Sequence, residues 1–245
     1  WPASIEGLKI GTNDIVLQSV GTLDRYNVVA GVEAYPYLVR DLDHFRKVYY
    51  GPVGAELYDE IARKTGFRIV GAGYRGMRHL SSSKLVRNLA EVKSIKIRVP
   101  PLKIYRLTWD TLGASTVPMG VAELFTSLQQ GVIDGQENPL PTIQSGKFFE
   151  VQKHLILTEH IITPRMVIVN EAFWKGLKPA DRELMSAALA SAAAWQDKEL
   201  LAQEATLVGT FKAAGMNVVE PDVAAWRKPV LDKVPAQFEE KWGKG

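Results

Sequence analysis

The 245-residue chain contains no cysteine, which excludes a disulfide scaffold, thiolate metal ligation and thiol catalysis. It does not fix the compartment, because many exported proteins dispense with cysteine. Long apolar runs are also missing: none approaches the roughly 18 to 20 residues of a membrane-spanning helix, so the chain is not expected to span a membrane. Nor does one sign of charge dominate. Thirty Lys plus Arg against 27 Asp plus Glu leave a net +3, spread along the chain, whereas nucleic-acid proteins usually gather positive charge into a patch or stripe. No nucleic-acid partner is therefore expected. Histidine is sparse: His44, His79, His154 and His160 form no H-E-x-x-H motif, and the spacing of the last two does not suit a shared metal. There is no G-x-S-x-G elbow and no Walker A motif, and Asp134, Glu137 and Glu150 are too scattered to nominate an acid–base pair. These absences predict no catalytic residue, no metal site and no cofactor.

What is present is an ordinary globular composition, 46% hydrophobic and 23% charged, in a length that suits one large domain or two modest lobes. Ile15-Val-Leu17 reads as a strand after the turn Gly11 to Asp14. Asp41 to Tyr50 reads as a helix capped by Asp41 or Asp43, and Gly54 to Lys64 as a second helix closed by Gly66. Phe67 to Val70 and Ile95 to Val99 read as strands, the latter stopped by Pro100-Pro101. Lys103 to Leu112 is helical and ends at Gly113. Glu123 to Gln130 is a short helix before the β-like Val132-Ile133 and the turn Asp134-Gly135, and Met166 to Val169 is β-like. Mixed strands and helices throughout predict an α/β fold. From Pro179 to Ala214 no further Pro interrupts a helical pattern, and the only interior Gly is Gly209. A helix of that extent would run about 54 Å at 1.5 Å per residue, so it either breaks or bridges two lobes, and bridging is preferred.

Two features invite a functional reading. Gly71-Ala-Gly73-Tyr-Arg-Gly76 matches G-x-G-x-x-G after a strand, which would make a nucleotide-dependent oxidoreductase the alternative function. That fingerprint requires a helix to begin within the glycines, and Met77-Arg-His-Leu-Ser is a poor helix start. The second feature is arginine in awkward places. Arg98 lies inside Ile95-Lys-Ile-Arg-Val99, an apolar strand that should be buried, and Arg78 follows Gly76-Met77. A buried guanidinium needs an anionic partner: either an internal Asp or Glu, or the carboxylate of a small ligand, which a planar fork of donors suits.

The block formed by Arg98-Val-Pro100, Leu112-Gly-Ala114, Pro118-Met119, Glu123, Leu128-Gln-Gln-Gly131 and Asp134-Gly-Gln-Glu-Asn-Pro139 resembles the core signature of TRAP-transporter solute-binding proteins, the DctP-like family. The likeness continues through Phe148 to Lys153, Thr158-Glu-His160, Asn170 and Trp174, and upstream through Gly11 to Asp14, Pro36-Tyr37, Asp43-His44 and Gly76-Met-Arg78. It implies a two-lobed, Venus-flytrap α/β receptor of the periplasmic-binding-protein type, hinged to close over an organic acid, with the long helix bridging the lobes and no catalysis. Lobe one is expected over 1–75, lobe two over 76–163, a return to lobe one over 164–203, and the end of the long helix with the C-terminal segment on lobe two over 204–245. By the same resemblance Arg98 forms the carboxylate bridge, Arg78 gives a second contact, Asn138 hydrogen-bonds the ligand, His160 lies near the cavity, and Ser19 falls at a ligand-facing polar position. The implied partners are a sugar acid, keto acid or dicarboxylate and the membrane subunits of the transporter, in the periplasm. Pro101, Val121 and Ser19 depart from the sialic-acid receptors of the family, which disfavours sialic acid. The chain begins at Trp1 with neither an initiator Met nor a signal peptide, and the family's opening strand, helix and strand are absent from it. Lobe one is thus expected to be incomplete, with weak ligand binding and an open sheet edge as the consequences.

Overall fold

The computed structural model describes residues 2–237. The elements, in order, are α1 (Pro2–Ile10), β1 (Ile15–Gln18), α2 (Leu42–Tyr49), α3 (Pro52–Thr65), β2 (Phe67–Ser82), β3 (Lys96–Val99), α4 (Lys103–Leu112), β4 (Ser115–Pro118), α5 (Leu124–Gln129), β5 (Gly135–Pro139), α6 (Leu140–Ser145), β6 (His154–Asn170), α7 (Glu171–Gly176), α8 (Pro179–Ala213), β7 (Asn217–Val219) and α9 (Val223–Lys233). Local chemistry accounts for many of the boundaries. The Asp41 carboxylate accepts the His44 backbone N–H at the start of α2, satisfying a donor the helix itself cannot. Helix α4 ends where Gly113 turns left-handed at φ 99°, a conformation that costs other residues a Cβ clash.

The chain gathers into two compact units. The first holds the residues up to Tyr35, Val39–Arg75 and Ile162–Leu200; the second holds Pro36–Leu38, Gly76–Ile161 and the residues from Leu201 onward. Strands β2 and β6 and helix α8 each contribute residues to both. Helix α8 is one uninterrupted helix of 35 residues, consistent with the absence of any further proline in it after Pro179 at its start.

In the first unit β6 runs between β1 and β2, and β1 is antiparallel to it with Ile15 opposite Val169. Ile5, Leu8, Val20, Leu23, Phe45, Ile61, Phe67, Met166 and Ile168 are buried there. Helix α8 crosses β2 closely. A Cβ on Gly73 would lie 2.9 Å from Gln196 Nε2, and one on Gly71 would lie 3.5 Å from Leu189 Cβ. Gln196 donates to the Tyr74 carbonyl at 2.7 Å, and Asp197 accepts the Tyr74 N–H at 2.7 Å and the Tyr50 hydroxyl at 2.8 Å. The glycines of Gly71 to Gly76 therefore lie inside a continuous strand, where Gly73 leaves room for the Gln196 side chain of α8. No helix begins among them, so the backbone donors a pyrophosphate would need are not presented.

In the second unit β3 pairs in parallel with both β4 and β5, and β5 pairs antiparallel with the second half of β2. Strand β7 is parallel to the first half of β6. Leu124, Leu128, Ile133, Leu140, Ile143, Phe148, Leu155, Leu207, Phe211 and Met216 form one buried cluster, and Trp109 of α4 meets Trp226 of α9 edge to face at 6.3 Å. The β-like reading of Val132-Ile133 is corrected: the strand here begins at Gly135 and consists of Gly-Gln-Glu-Asn-Pro, all five buried. The strand expected over Phe67 to Val70 is longer: β2 runs on to Ser82 and includes Arg78.

Candidate functional site

The carboxyl ends of the parallel strands β3, β4 and β5 fall at Val99, Pro118 and Pro139, all in the second unit. Open α/β sheets bind ligands at such strand ends. Arg98 is the penultimate residue of β3, 2% exposed, in register with Val117 of β4 and Gln136 of β5. Its Nε and Nη2 donate to the Met119 carbonyl at 2.8 and 2.6 Å. A carbonyl oxygen carries only partial charge, so Met119 orients the guanidinium plane without neutralising it.

Arg78, Asn138 and His160 come together around Glu137, at the centre of a buried network. Arg78 Nε and Nη2 donate to Glu137 Oε2 and Oε1 at 2.5 and 2.7 Å, and Nη2 also reaches the Glu137 carbonyl at 2.7 Å and Asn138 Oδ1 at 3.1 Å. The guanidinium stands over the Tyr105 ring, 5.1 Å from its centroid, a cation–π placement. For Arg78, the internal carboxylate that the sequence reading left open is Glu137. His160 Nε2 lies 2.9 Å from Glu137 Oε2, and its Nδ1 lies 2.8 Å from the Thr158 hydroxyl. A carboxylate acceptor requires the proton on Nε2, which leaves Nδ1 to accept from Thr158.

The charge states follow from these contacts. Burial opposes ionisation of Glu137, but the Arg78 cation and the His160 hydrogen bond outweigh it and hold the carboxyl at about 2. Burial lowers His160 below the usual imidazole range, partly offset by Glu137, and it takes His79 down to about 3 with help from the neighbouring His160. The cluster at neutral pH is thus one cation, one anion and two neutral imidazoles.

The network extends through amides and a hydroxyl. Asn138 Nδ2 donates to Gln136 Oε1 at 2.6 Å, Gln136 Nε2 to Ser81 Oγ at 2.8 Å, and Ser81 Oγ to Gln152 Oε1 at 3.3 Å. Backbone strain helps aim it. Glu159, between Thr158 and His160, adopts φ 48°, and Tyr37, at φ 58°, donates its N–H to the His160 carbonyl at 2.8 Å and its hydroxyl to the Thr158 carbonyl at 3.2 Å. Non-glycine residues at positive φ persist where surrounding contacts over-determine them.

Ser19 lies in the first unit, buried, with its hydroxyl directed at both Glu33 carboxylate oxygens at 2.8 and 2.7 Å; the Gly21 N–H adds a third contact at 2.8 Å. Its proton is committed to that carboxylate. Sequence reasoning missed Glu137, Gln136, Ser81 and Gln152. The available signal was the run Gln136-Glu-Asn138 itself, three polar residues set between strand-like segments, but only the pairing of β2 with β5 shows that Arg78 meets Glu137. Among the described residues no group of His, Asp and Glu side chains could hold a metal ion, and no helix is long and apolar enough to cross a membrane.

Comparison with known proteins places this geometry in a family. The family model DctP, described as bacterial extracellular solute-binding protein, family 7, matches residues 2–241. The chain is 35% identical over 227 residues to the sialic acid-binding periplasmic protein SiaP of Vibrio cholerae, covering 92% of this chain and 70% of that protein. It superposes with a TM-score of 0.92 on the TRAP periplasmic solute-binding protein of Polaromonas sp. JS666 bound to D-erythronate, at 36% identity, covering 99% of this chain and 80% of the other. The TM-score is 0.88 for the counterpart from Roseobacter denitrificans with bound L-galactonate, at 35% identity, over 95% of this chain and 77% of the other. The strand-end site of the second unit, the long α8 and the match along nearly the whole sequence converge: the chain belongs to the DctP family of TRAP periplasmic solute-binding proteins, and it is a transport protein, not an enzyme.

Proposed function

We propose that the second unit captures a small polyhydroxy organic acid by a bridge between its carboxylate and Arg98, and that the loaded protein delivers the acid to the membrane subunits of a TRAP transporter. One observation carries the anchor: a permanently charged guanidinium, buried at the carboxyl end of β3 and held in plane by the Met119 carbonyl. A fixed planar fork recognises a carboxylate in two parallel hydrogen bonds, which an ammonium cannot reproduce. The Glu137 cluster supports the reading in a different way. It ties up Arg78 and His160 and fixes Asn138 and Gln136, so these amides are set as neutral hydrogen-bonding groups suited to hydroxyls rather than to a second full charge. The acids held by the Polaromonas and Roseobacter relatives, D-erythronate and L-galactonate, have this chemistry, a carboxylate followed by hydroxylated carbons. Delivery to membrane subunits is inferred from the family.

The test is a thermal-shift screen of aldonic, uronic, keto and dicarboxylic acids on the wild-type chain, followed by titration calorimetry of the hits. A sugar acid that raises the melting temperature in the wild type but not in Arg98→Lys supports the anchor. Equal shifts in the two proteins would remove Arg98 from that role.

A further inference from the structure

The edge of β2 that faces away from β6 changes character along the first unit. At Tyr74 it is closed by side chains of α8: Asp197 accepts the Tyr74 N–H at 2.7 Å, and Gln196 donates to the Tyr74 carbonyl at 2.7 Å. These two backbone groups therefore point away from β6, the neighbouring strand. Backbone groups alternate from side to side along a strand, so Ala72 and Val70 present their N–H and carbonyl groups on the same side as Tyr74. Toward them α8 brings Leu189, Ala190, Ala193 and Ala194, which have no hydrogen-bonding side chain, and Ser186, which is exposed. Strand β5 joins β2 only from Arg78 onward. Among the described residues no group on this side pairs with the backbone of Val70 or Ala72.

A cavity of about 560 Å³ follows this stretch, touching Ile69 to Ala72 on β2, Ala190 and Ala193 on α8, and Tyr49 on α2. Helix α8 covers the strand face shared by Gly71 and Gly73, where an added Cβ would point to Leu189 or Gln196. Helix α2 covers the opposite face, where the Phe45 ring stands 5.6 Å from the Tyr74 ring. A space lined from both faces at once runs around the edge of the strand. Its ends are fixed. The Tyr50 hydroxyl donates to Asp197 at 2.8 Å beside Tyr74, and at the other end Arg68 is paired with Glu171 and Asp59. Between them Ile69-Val-Gly-Ala72 has no charge and no proline, the devices that guard exposed edges elsewhere, and Ile69 and Ala72 are only 4% and 7% exposed. Backbone groups enclosed in an apolar space cost free energy until they find partners.

We propose that this edge is a β-augmentation site, taking an extended segment of a partner polypeptide as an additional strand on Val70 and Ala72 and seating one of its apolar side chains in the cavity. The hydrogen-bonding groups repeat every second residue, about 6.6 Å apart, a spacing that an extended main chain reproduces and a compact small molecule does not. Arg68 is the only charged residue lining the cavity, and its charge is met by Glu171 and Asp59, so the seated side chain is uncharged. The site lies wholly within the first unit, and neither it nor the Arg98 anchor depends on the other.

Amide hydrogen exchange on the 245-residue chain tests this, with end-blocked hexapeptides of Thr alternating with Val, Leu or Phe as ligands. In the free protein the Val70 and Ala72 amides should exchange at least about tenfold faster than those of Ile69 and Gly71, which face β6. A saturating peptide of the set should slow Val70 and Ala72 by at least about tenfold. The same peptide N-methylated at its central residues loses its main-chain donors but keeps its side chains, and it should leave both amides unchanged. Ala190→Leu narrows the cavity from an exposed helical position and should weaken peptide binding at least about tenfold. Ala187→Leu, exposed on α8 outside the cavity, should not. Equal protection of all four amides in the free protein would show that the edge is already paired, and protection rising with protein concentration would make a second copy the occupant. Either result would overturn the proposal, as would N-methylated peptides that bind as well as their parents, or a set in which no peptide slows exchange.

Discussion

Removing the Glu137 carboxylate should be among the most destabilising single changes available in the second unit. The pair it forms with Arg78 is fully enclosed, with side-chain exposures of 2% and 0% and contacts of 2.5 and 2.7 Å. Glu137→Leu would leave a permanent cation in the interior beside neutral acceptors, the residue-137 carbonyl and Asn138 Oδ1, and would take the acceptor from His160 Nε2. Breaking a buried pair from one side costs about 3 to 5 kcal/mol, a large part of the 5 to 15 kcal/mol by which a typical domain is stable. The decisive comparison is with the double variant Arg78→Met/Glu137→Leu, which removes both charges. If desolvation is the dominant cost, the double variant should be more stable than the Glu137→Leu single variant, recovering about 2 kcal/mol or more. Urea denaturation followed by Trp fluorescence reads both; with a slope of about 1 to 3 kcal/mol per molar, the single variant should lower the midpoint by at least about 1 M. A single variant within about 0.5 kcal/mol of wild type, or a double variant less stable than the single, would refute the view that this pair is a desolvated ion pair whose halves depend on each other.

Three further outcomes follow from the same geometry. Stability should fall on acidification. His79 is held neutral down to about 3 and Glu137 ionised down to about 2, so in both cases the unfolded chain binds protons first. The loss should therefore begin as pH drops through about 6.5 for the imidazole and about 4.5 for the carboxyl, ending near those folded values; a urea midpoint flat between pH 7 and pH 4 would contradict it. Gly76→Ala should cost about 2 kcal/mol or more, since φ is 119° and the new Cβ would lie 2.5 Å from Glu204 Oε1 and 2.8 Å from Pro139 Cβ; an unchanged thermal midpoint would show that the strand relaxes freely there. Asn138→Ala should weaken acid binding less than Arg98→Ala, because a neutral hydrogen bond is worth less than a charge-assisted one, and the reverse order in calorimetry would invert the hierarchy of contacts.

Much of the fold was legible because its signals are local. Lys103 to Leu112 with Gly113, Asp41 before α2, and the proline-free stretch after Pro179 each announce a helix or its end through capping and propensity, which need no knowledge of distant residues. Strand β5 was not legible. Gly135-Gln-Glu-Asn-Pro139 has neither apolar alternation nor β-branched residues, and it is a buried strand only because β2 and β3 flank it and its polar side chains find partners there. The full length of β2 was hidden for a related reason: Gly71, Gly73 and Gly76 read as a loop, whereas Gly73 makes room for Gln196 of α8 and Gly76 for Glu204 and Pro139. Arg98 stood out as a charge in an apolar strand. Glu137 did not, because its partner Arg78 is 59 residues away and a carboxylate in a polar run carries no mark of burial.

The most direct test of the account is titration calorimetry of a sugar acid identified by the thermal-shift screen, against the wild-type chain and Arg98→Lys, with far-UV circular dichroism confirming that both are folded. Loss of the guanidinium fork should weaken binding by at least about thirtyfold, corresponding to the lower end of the 2 to 5 kcal/mol lost when a buried charge partner is removed, while the spectra remain superimposable. Undiminished affinity in a folded Arg98→Lys protein would contradict the carboxylate anchor on which the proposed function stands.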